Sequence, residues 1–96
     1  MESITMYAVI FTGDDEMTTE HTAYATEEDA AKAGAALARR VWVEYGERDE
    51  EEDLSFPEVD NDWDAMDMLR GGYNVSLEVE PIEVSADVIR ALHAKL

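Results

Sequence analysis

The segment Ile4-Thr5-Met6-Tyr7-Ala8-Val9-Ile10-Phe11-Thr12 is apolar on both of its alternating faces: Ile4, Met6, Ala8 and Ile10 on one, Tyr7, Val9 and Phe11 on the other. Strand side chains alternate with period two, so a strand apolar on both sides is suited to cover on each face. This pattern predicts a central strand, and the rest of the chain must supply its neighbours and its covering layers. Gly13-Asp14-Asp15 bounds the run. Gly13 to Glu16 reads as a turn, and Thr18 to Tyr24 reads as a more polar returning strand. A β-hairpin therefore opens the chain. With 96 residues, 46% of them hydrophobic, there is room for one core and one domain over 1–96.

Thr26 has the character of a helix N-cap, followed by Glu27, Glu28 and Asp29 in the first turn. Thr26-x-x-Asp29 is a variant of the capping box, and acids there complement the helix dipole. Ala30, Gly34, Leu37, Val41 and Tyr45 make a stripe at i, i+3/i+4 spacing. The alanine-rich face allows close approach to a sheet. Gly46 is the expected stop, although Val41-Trp42-Val43-Glu44-Tyr45 has a strand-like composition that leaves an earlier exit open.

Leu54 and Phe56 are expected to tuck back as a short edge segment that Pro57 ends. Asp60-Asn61-Asp62 offers caps for a second helix, which carries Trp63, Met66 and Leu69 on one side and closes at Gly71-Gly72. Tyr73 to Glu80 alternates cleanly, with Tyr73, Val75, Leu77 and Val79 facing one way. Pro81 places an interruption or a sheet edge there. Ser85 can cap a last helix with Val88, Ile89, Leu92 and Leu96 inward, and Arg90, His93 and Lys95 near its end. The expected architecture is α+β, a two-layer sandwich ordered β-β-α-(acidic loop)-α-β-α, with about three mainly antiparallel strands.

Charge is placed unevenly on this scaffold. Twenty-four carboxylates against seven Lys and Arg give a net charge of −17. Residues 44–67 alone hold twelve acids (Glu44, Glu47, Asp49, Glu50, Glu51, Glu52, Asp53, Glu58, Asp60, Asp62, Asp64 and Asp67) and one base, Arg48. That is −11 in one quarter of the chain. The run 47–53 by itself reads as solvated loop. Leu54, Phe56, Trp63, Met66 and Leu69 nevertheless give the segment apolar anchors, which point to carboxylates held on a folded surface. Trp42 lies beside the first helix's apolar stripe rather than on it, so it joins Trp63 as a candidate contact residue.

Such charge repels phosphates, so direct nucleic-acid binding and attachment to anionic membranes are not expected. The absence of cysteine removes thiolate metal sites and thiol nucleophiles. The first charge is Glu2, and no basic region precedes an apolar run. The longest unbroken apolar stretch, Met6 to Phe11, is too short to span a bilayer. The expectation is a cytoplasmic chain.

Asp60-Asn61-Asp62-Trp63-Asp64 matches the opening of an EF-hand loop. Ala65 stands where the turn glycine belongs, however, and Gly71 where the bidentate Glu belongs, so capping is the better reading. His21 and His93 stand in no metal-binding spacing. No nucleophile-elbow or phosphate-loop motif is present. No cofactor, metal or enzymatic activity is expected.

A compact α+β chain of this size, with acids clustered as in Glu50-Glu51-Glu52-Asp53 and Asp60-Asn61-Asp62-Trp63-Asp64, resembles the small acidic phage proteins that mimic DNA. That class includes anti-restriction and anti-CRISPR inhibitors. The resemblance is compositional, covers the whole chain and rests on no diagnostic motif. It implies a partner with a basic surface that normally binds nucleic acid, in the host cytoplasm if the chain is phage-encoded. Two other readings stand beside it. One is a small adaptor or homodimer that associates through an apolar patch or sheet edge, its acids serving solubility. The other is an ordinary domain of a halophile, for which two lysines and thirteen alanines are in keeping.

Overall fold

Three strands and two helices follow in the order β1 (Ser3–Thr12), β2 (Thr19–Tyr24), α1 (Glu27–Arg48), α2 (Asp62–Gly72) and β3 (Ser76–Ser85). They are seen in a computed structural model that describes residues 3–15, 19–85 and 87. The last helix expected after Ser85 falls largely outside these residues. The strands form one antiparallel sheet in the order β2-β1-β3, so the doubly apolar strand is central. The register sets Val9 opposite Val79, Phe11 opposite Leu77 and Tyr7 opposite Tyr24. Val9, Phe11 and Leu77 are buried there beneath the helices, with Tyr7, Tyr24 and Val79 packed around them. Only this face is covered by the described helices. The expected second cover, over Ile4, Met6, Ala8 and Ile10, is not supplied by any described element.

β3 begins later and ends later than its alternation implies. Tyr73 is the C-cap of α2, its N–H donating to the Leu69 carbonyl at 3.0 Å. The strand continues past Pro81, which lies opposite Tyr7, as far as Ser85. A proline is tolerated here because β3 is an edge strand and its outer side needs no ladder donor.

α1 starts as expected, with Thr26 Oγ1 accepting the Asp29 N–H at 3.1 Å. It does not stop at Gly46, and Val41–Tyr45 stays helical. Gly46 is instead a buried interior position, where an added Cβ would lie 2.6 Å from Leu54 Cδ2. The glycine serves close approach rather than a left-handed turn. Gly34 and Gly72 act alike: a Cβ at Gly34 would collide with Met66 Sδ, and one at Gly72 would lie 2.6 Å from the Trp42 ring. With Ala30, Ala31, Ala35 and Ala38 also buried, α1 is thin enough to lie close against both the sheet and α2, which itself packs on β3. Bulk comes from the opposing side chains. Phe11, Met66, Leu69, Leu77 and Val41 are the largest fully buried residues, each contributing roughly 1.5–3 kcal/mol of burial.

These contacts set the helix direction. Gly34 meets Met66 and Trp42 meets Gly72, so α1 and α2 run side by side in the same direction. Parallel helices need a connection as long as the helix, and residues 49–61 supply it.

Candidate functional site

The connection begins with a reversal at the end of α1. The Glu51 N–H donates to the Gly46 carbonyl at 2.8 Å and the Glu50 N–H to the Glu47 carbonyl at 3.2 Å. This is the Schellman arrangement, in which the residue at the position of Glu50 adopts a left-handed conformation, most easily as glycine. Glu50 has φ 59° and is the one described non-glycine residue with positive φ. A carboxylate therefore occupies the position the turn would more readily give to glycine.

From there the chain runs back along α1 as a strap. Leu54 packs on Gly46. Phe56 meets Trp42 edge-on with ring centroids 5.4 Å apart, and the Arg39 guanidinium lies 5.5 Å from the Phe56 ring. Asn61, Asp62 and Trp63 come to rest beside Glu27, Glu28 and Ala31. The path from Gly46 back to Ala31 is about 22 Å at ~1.5 Å per helical residue. The strap covers it from Leu54 to Asn61, about 23 Å at ~3.3 Å per extended residue. The segment is thus nearly fully extended, although it pairs with no strand. Leu54 and Phe56 do tuck back, but onto α1 and not as a sheet edge. Asn61 then caps α2, its Oδ1 accepting the Asp64 N–H at 2.9 Å. The residues that resembled an EF-hand opening are a helix start.

The strap decides how the acids are shown. None of the twelve carboxylates of 44–67 is buried. Three have cationic partners: Glu44 with Arg40 at 3.7 Å, Asp49 with Arg48 at 2.9 Å, and Asp67 with Arg70. Asp53 accepts the Ser55 N–H at 2.9 Å. Among the described residues, the side chains of Glu47, Glu50, Glu51, Glu52, Glu58, Asp60, Asp62 and Asp64 make no ion pair. They form two groups, 47–53 and 58–64, separated by the anchoring stretch Leu54–Pro57. Of the second group, Glu58, Asp60 and Asp64 line an open groove of about 560 Å³ together with Asp67, Val59 and Met68.

Two carboxylates are electrostatically locked. The Arg48 hydrogen bond holds Asp49 below the usual carboxylate range, and hydrogen bonds from Ser55 do the same for Asp53. Burial, reinforced by the nearby Asp49 and Glu51 charges, pushes the Tyr73 phenol above its ordinary value. Arg48 also pairs with Asp14 at 3.0 Å and lies over the Tyr45 ring at 4.1 Å, tying the start of the strap to the β1–β2 turn.

Trp63, read as a candidate contact, is 44% exposed at the head of α2. Trp42 is not presented in this way. It is half-buried between Phe56 and Tyr73, both edge-on at 5.4 Å, so its role is to hold the strap. Reading along the chain missed Glu27 and Glu28, which the parallel packing brings beside Asp62 and Trp63. The signal was available in the spacing: helix–helix links usually take 2–8 residues, and the longer 49–61 link marks a crossover.

No helix among the described residues is long and apolar enough to cross a membrane, and no described cluster of His, Asp or Glu could hold a metal ion. Comparison with protein-family models finds no match, and no match is found among curated proteins or among solved structures.

Proposed function

We propose that this chain is a non-enzymatic inhibitor that mimics DNA, occupying the basic groove of a nucleic-acid-binding complex such as a restriction enzyme or CRISPR effector. The observation that carries the reading is the strap. Eight carboxylates that make no ion pair among the described residues, six of them exposed and Asp62 and Asp64 half-buried, lie on or beside an extended segment held against α1. On the extended stretch Leu54–Asn61 the carboxylates are Glu58 and Asp60, two residues apart and so on one side of the segment at a spacing of ~6.6 Å, an array of like charges such as a phosphate backbone presents. The glutamate in the left-handed position supports the same reading, because strain retained at one residue points to a use for its side chain. A groove lined by Lys and Arg that meets this surface gains electrostatic attraction and fast association. Glu27, Glu28, Asp62 and the exposed Trp63 widen the proposed contact at the head of α2.

The test is competition. The chain is titrated against a panel of restriction and CRISPR effector complexes carrying labelled duplex DNA, at two salt concentrations. The expected result is displacement of DNA by a partner in the panel, weakening steeply as salt rises. Simultaneous binding of DNA and the chain, or affinity unchanged at high salt, would overturn the proposal.

A further inference from the structure

The strap is seated by side chains alone. Among the described residues, no backbone-to-backbone hydrogen bond involves residues 52–60. Leu54 on Gly46 and Phe56 against Trp42 and Arg39 hold it in the middle. Its ends meet like charge. Glu50, Glu51, Glu52 and Asp53 lead into it just after Glu47, and Asp62 follows it beside Glu27 and Glu28. Residues 49–62 contain no Lys or Arg. The link also begins with Glu50 at φ 59°, a conformation that an L-residue holds only at a cost.

We propose that the strap is a clasp worked by its own charge. It lifts from α1 where its carboxylates repel one another unscreened, and it closes where salt or a basic surface neutralises them. Repulsion between exposed charges fades beyond a Debye length, which shrinks from ~30 Å at about 0.01 M salt to ~3 Å at about 1 M. Leu54, Phe56 and Val59 are only half-buried, so the apolar grip that opposes the repulsion is modest. The Asp49–Arg48 pair and the Asn61 cap fix the two ends, and the stretch between them is the part that moves. Lifting bares the side of Trp42 that Phe56 covers. A cationic partner that binds the acids closes the strap, and a closed strap sets the acids in one array, so binding and closure favour each other. The clasp answers to a basic surface of any origin. Failure of DNA competition and failure of charge-dependent closure are therefore separate results.

Trp63→Phe leaves Trp42 as the single tryptophan, and quenching of its fluorescence by acrylamide, which is uncharged, reports its exposure. Relief of one close carboxylate pair is worth roughly fivefold in a two-state equilibrium. Quenching should accordingly fall by about twofold to fivefold between about 0.01 M and about 1 M salt. Tetralysine added at the lower salt should do the same. In the same background, Glu51→Gln/Glu52→Gln/Glu58→Gln/Asp60→Asn should show the weak quenching at both salts. Equal quenching of Trp42 at both salts, or a neutralised variant that responds to salt as strongly as its parent, would overturn the proposal. So would a loss of helical circular dichroism at the lower salt in step with the quenching, because the whole domain and not the strap would then be opening.

Discussion

Glu50 offers a substitution that should improve the fold and impair its proposed use. With φ 59° it occupies the left-handed position of the turn that ends α1. For an L-residue that conformation costs roughly 1–2 kcal/mol. Glu50→Gly removes that cost but adds roughly 0.5–1 kcal/mol of backbone entropy to the unfolded chain. The expected net gain is about 0.5–1 kcal/mol. For a domain of this size each 1 kcal/mol moves Tm by roughly 4–8 °C, so a rise of about 2–8 °C is expected, read by circular-dichroism melts. Glu50 is exposed and makes no ion pair among the described residues, so no native contact is lost to offset the gain. The same variant lacks one carboxylate of the first acidic group, and its affinity for a basic partner should fall, with a shallower salt dependence. Glu50→Ala separates the two effects: it loses the charge but keeps the strain. An unchanged or lower Tm for Glu50→Gly would refute the strain argument. Unchanged partner affinity and salt slope in both variants would remove Glu50 from the proposed contact.

The adjacent glycines that end α2 should respond with opposite signs. A Cβ at Gly71 meets nothing within 4 Å, whereas one at Gly72 meets the Trp42 ring. Gly71→Ala should therefore stabilise by up to about 0.5–1 kcal/mol through helix propensity. Gly72→Ala should destabilise by about 1–3 kcal/mol through overpacking, and urea unfolding of the two variants checks the contrast. The locked carboxylates make a prediction about acid. Asp49 and Asp53 have folded pKa values below their unfolded ones. Their contribution to stability is thus present above the ordinary Asp value of ~3.9 and is lost as pH falls through the lower folded values. Carboxyl-carbon NMR titration should place both midpoints below free aspartate, and Arg48→Gln should return Asp49 towards it while leaving Asp53 where it was.

Much of this fold is readable along the chain because its signals are local. Thr26 and Asn61 cap the helices they were expected to cap, and the doubly apolar β1 is the central strand. The failures concern partners distant in sequence. Gly46 resembles a helix stop, and only the folded chain reveals Leu54 against it. Trp42 resembles a contact residue because its neighbours on the strap and at the end of α2 come ten or more residues later. Pro81 correctly marks an edge, but an edge proline does not end its strand, so β3 outlasts its alternating pattern. At the candidate site, the acids of 44–67 are plain in the sequence. Their extension along α1, and the addition of Glu27 and Glu28, depend on the parallel direction of two helices. No short-range pattern encodes that direction.

The pairing of β1 with β3 bears on the order in which the domain can assemble. Ser3 pairs with Ser85 and Thr12 with Ser76, so every contact between these strands joins residues 64 to 82 positions apart. Loop closure over such distances must precede any reward from the ladder, which slows folding. During synthesis, the central strand has only β2 beside it until β3 leaves the ribosome. Until then one edge of β1, bearing Val9, Ile10 and Phe11, is unpaired and open to association with other chains. The acids that follow would then guard a nascent chain by mutual repulsion before they serve any partner.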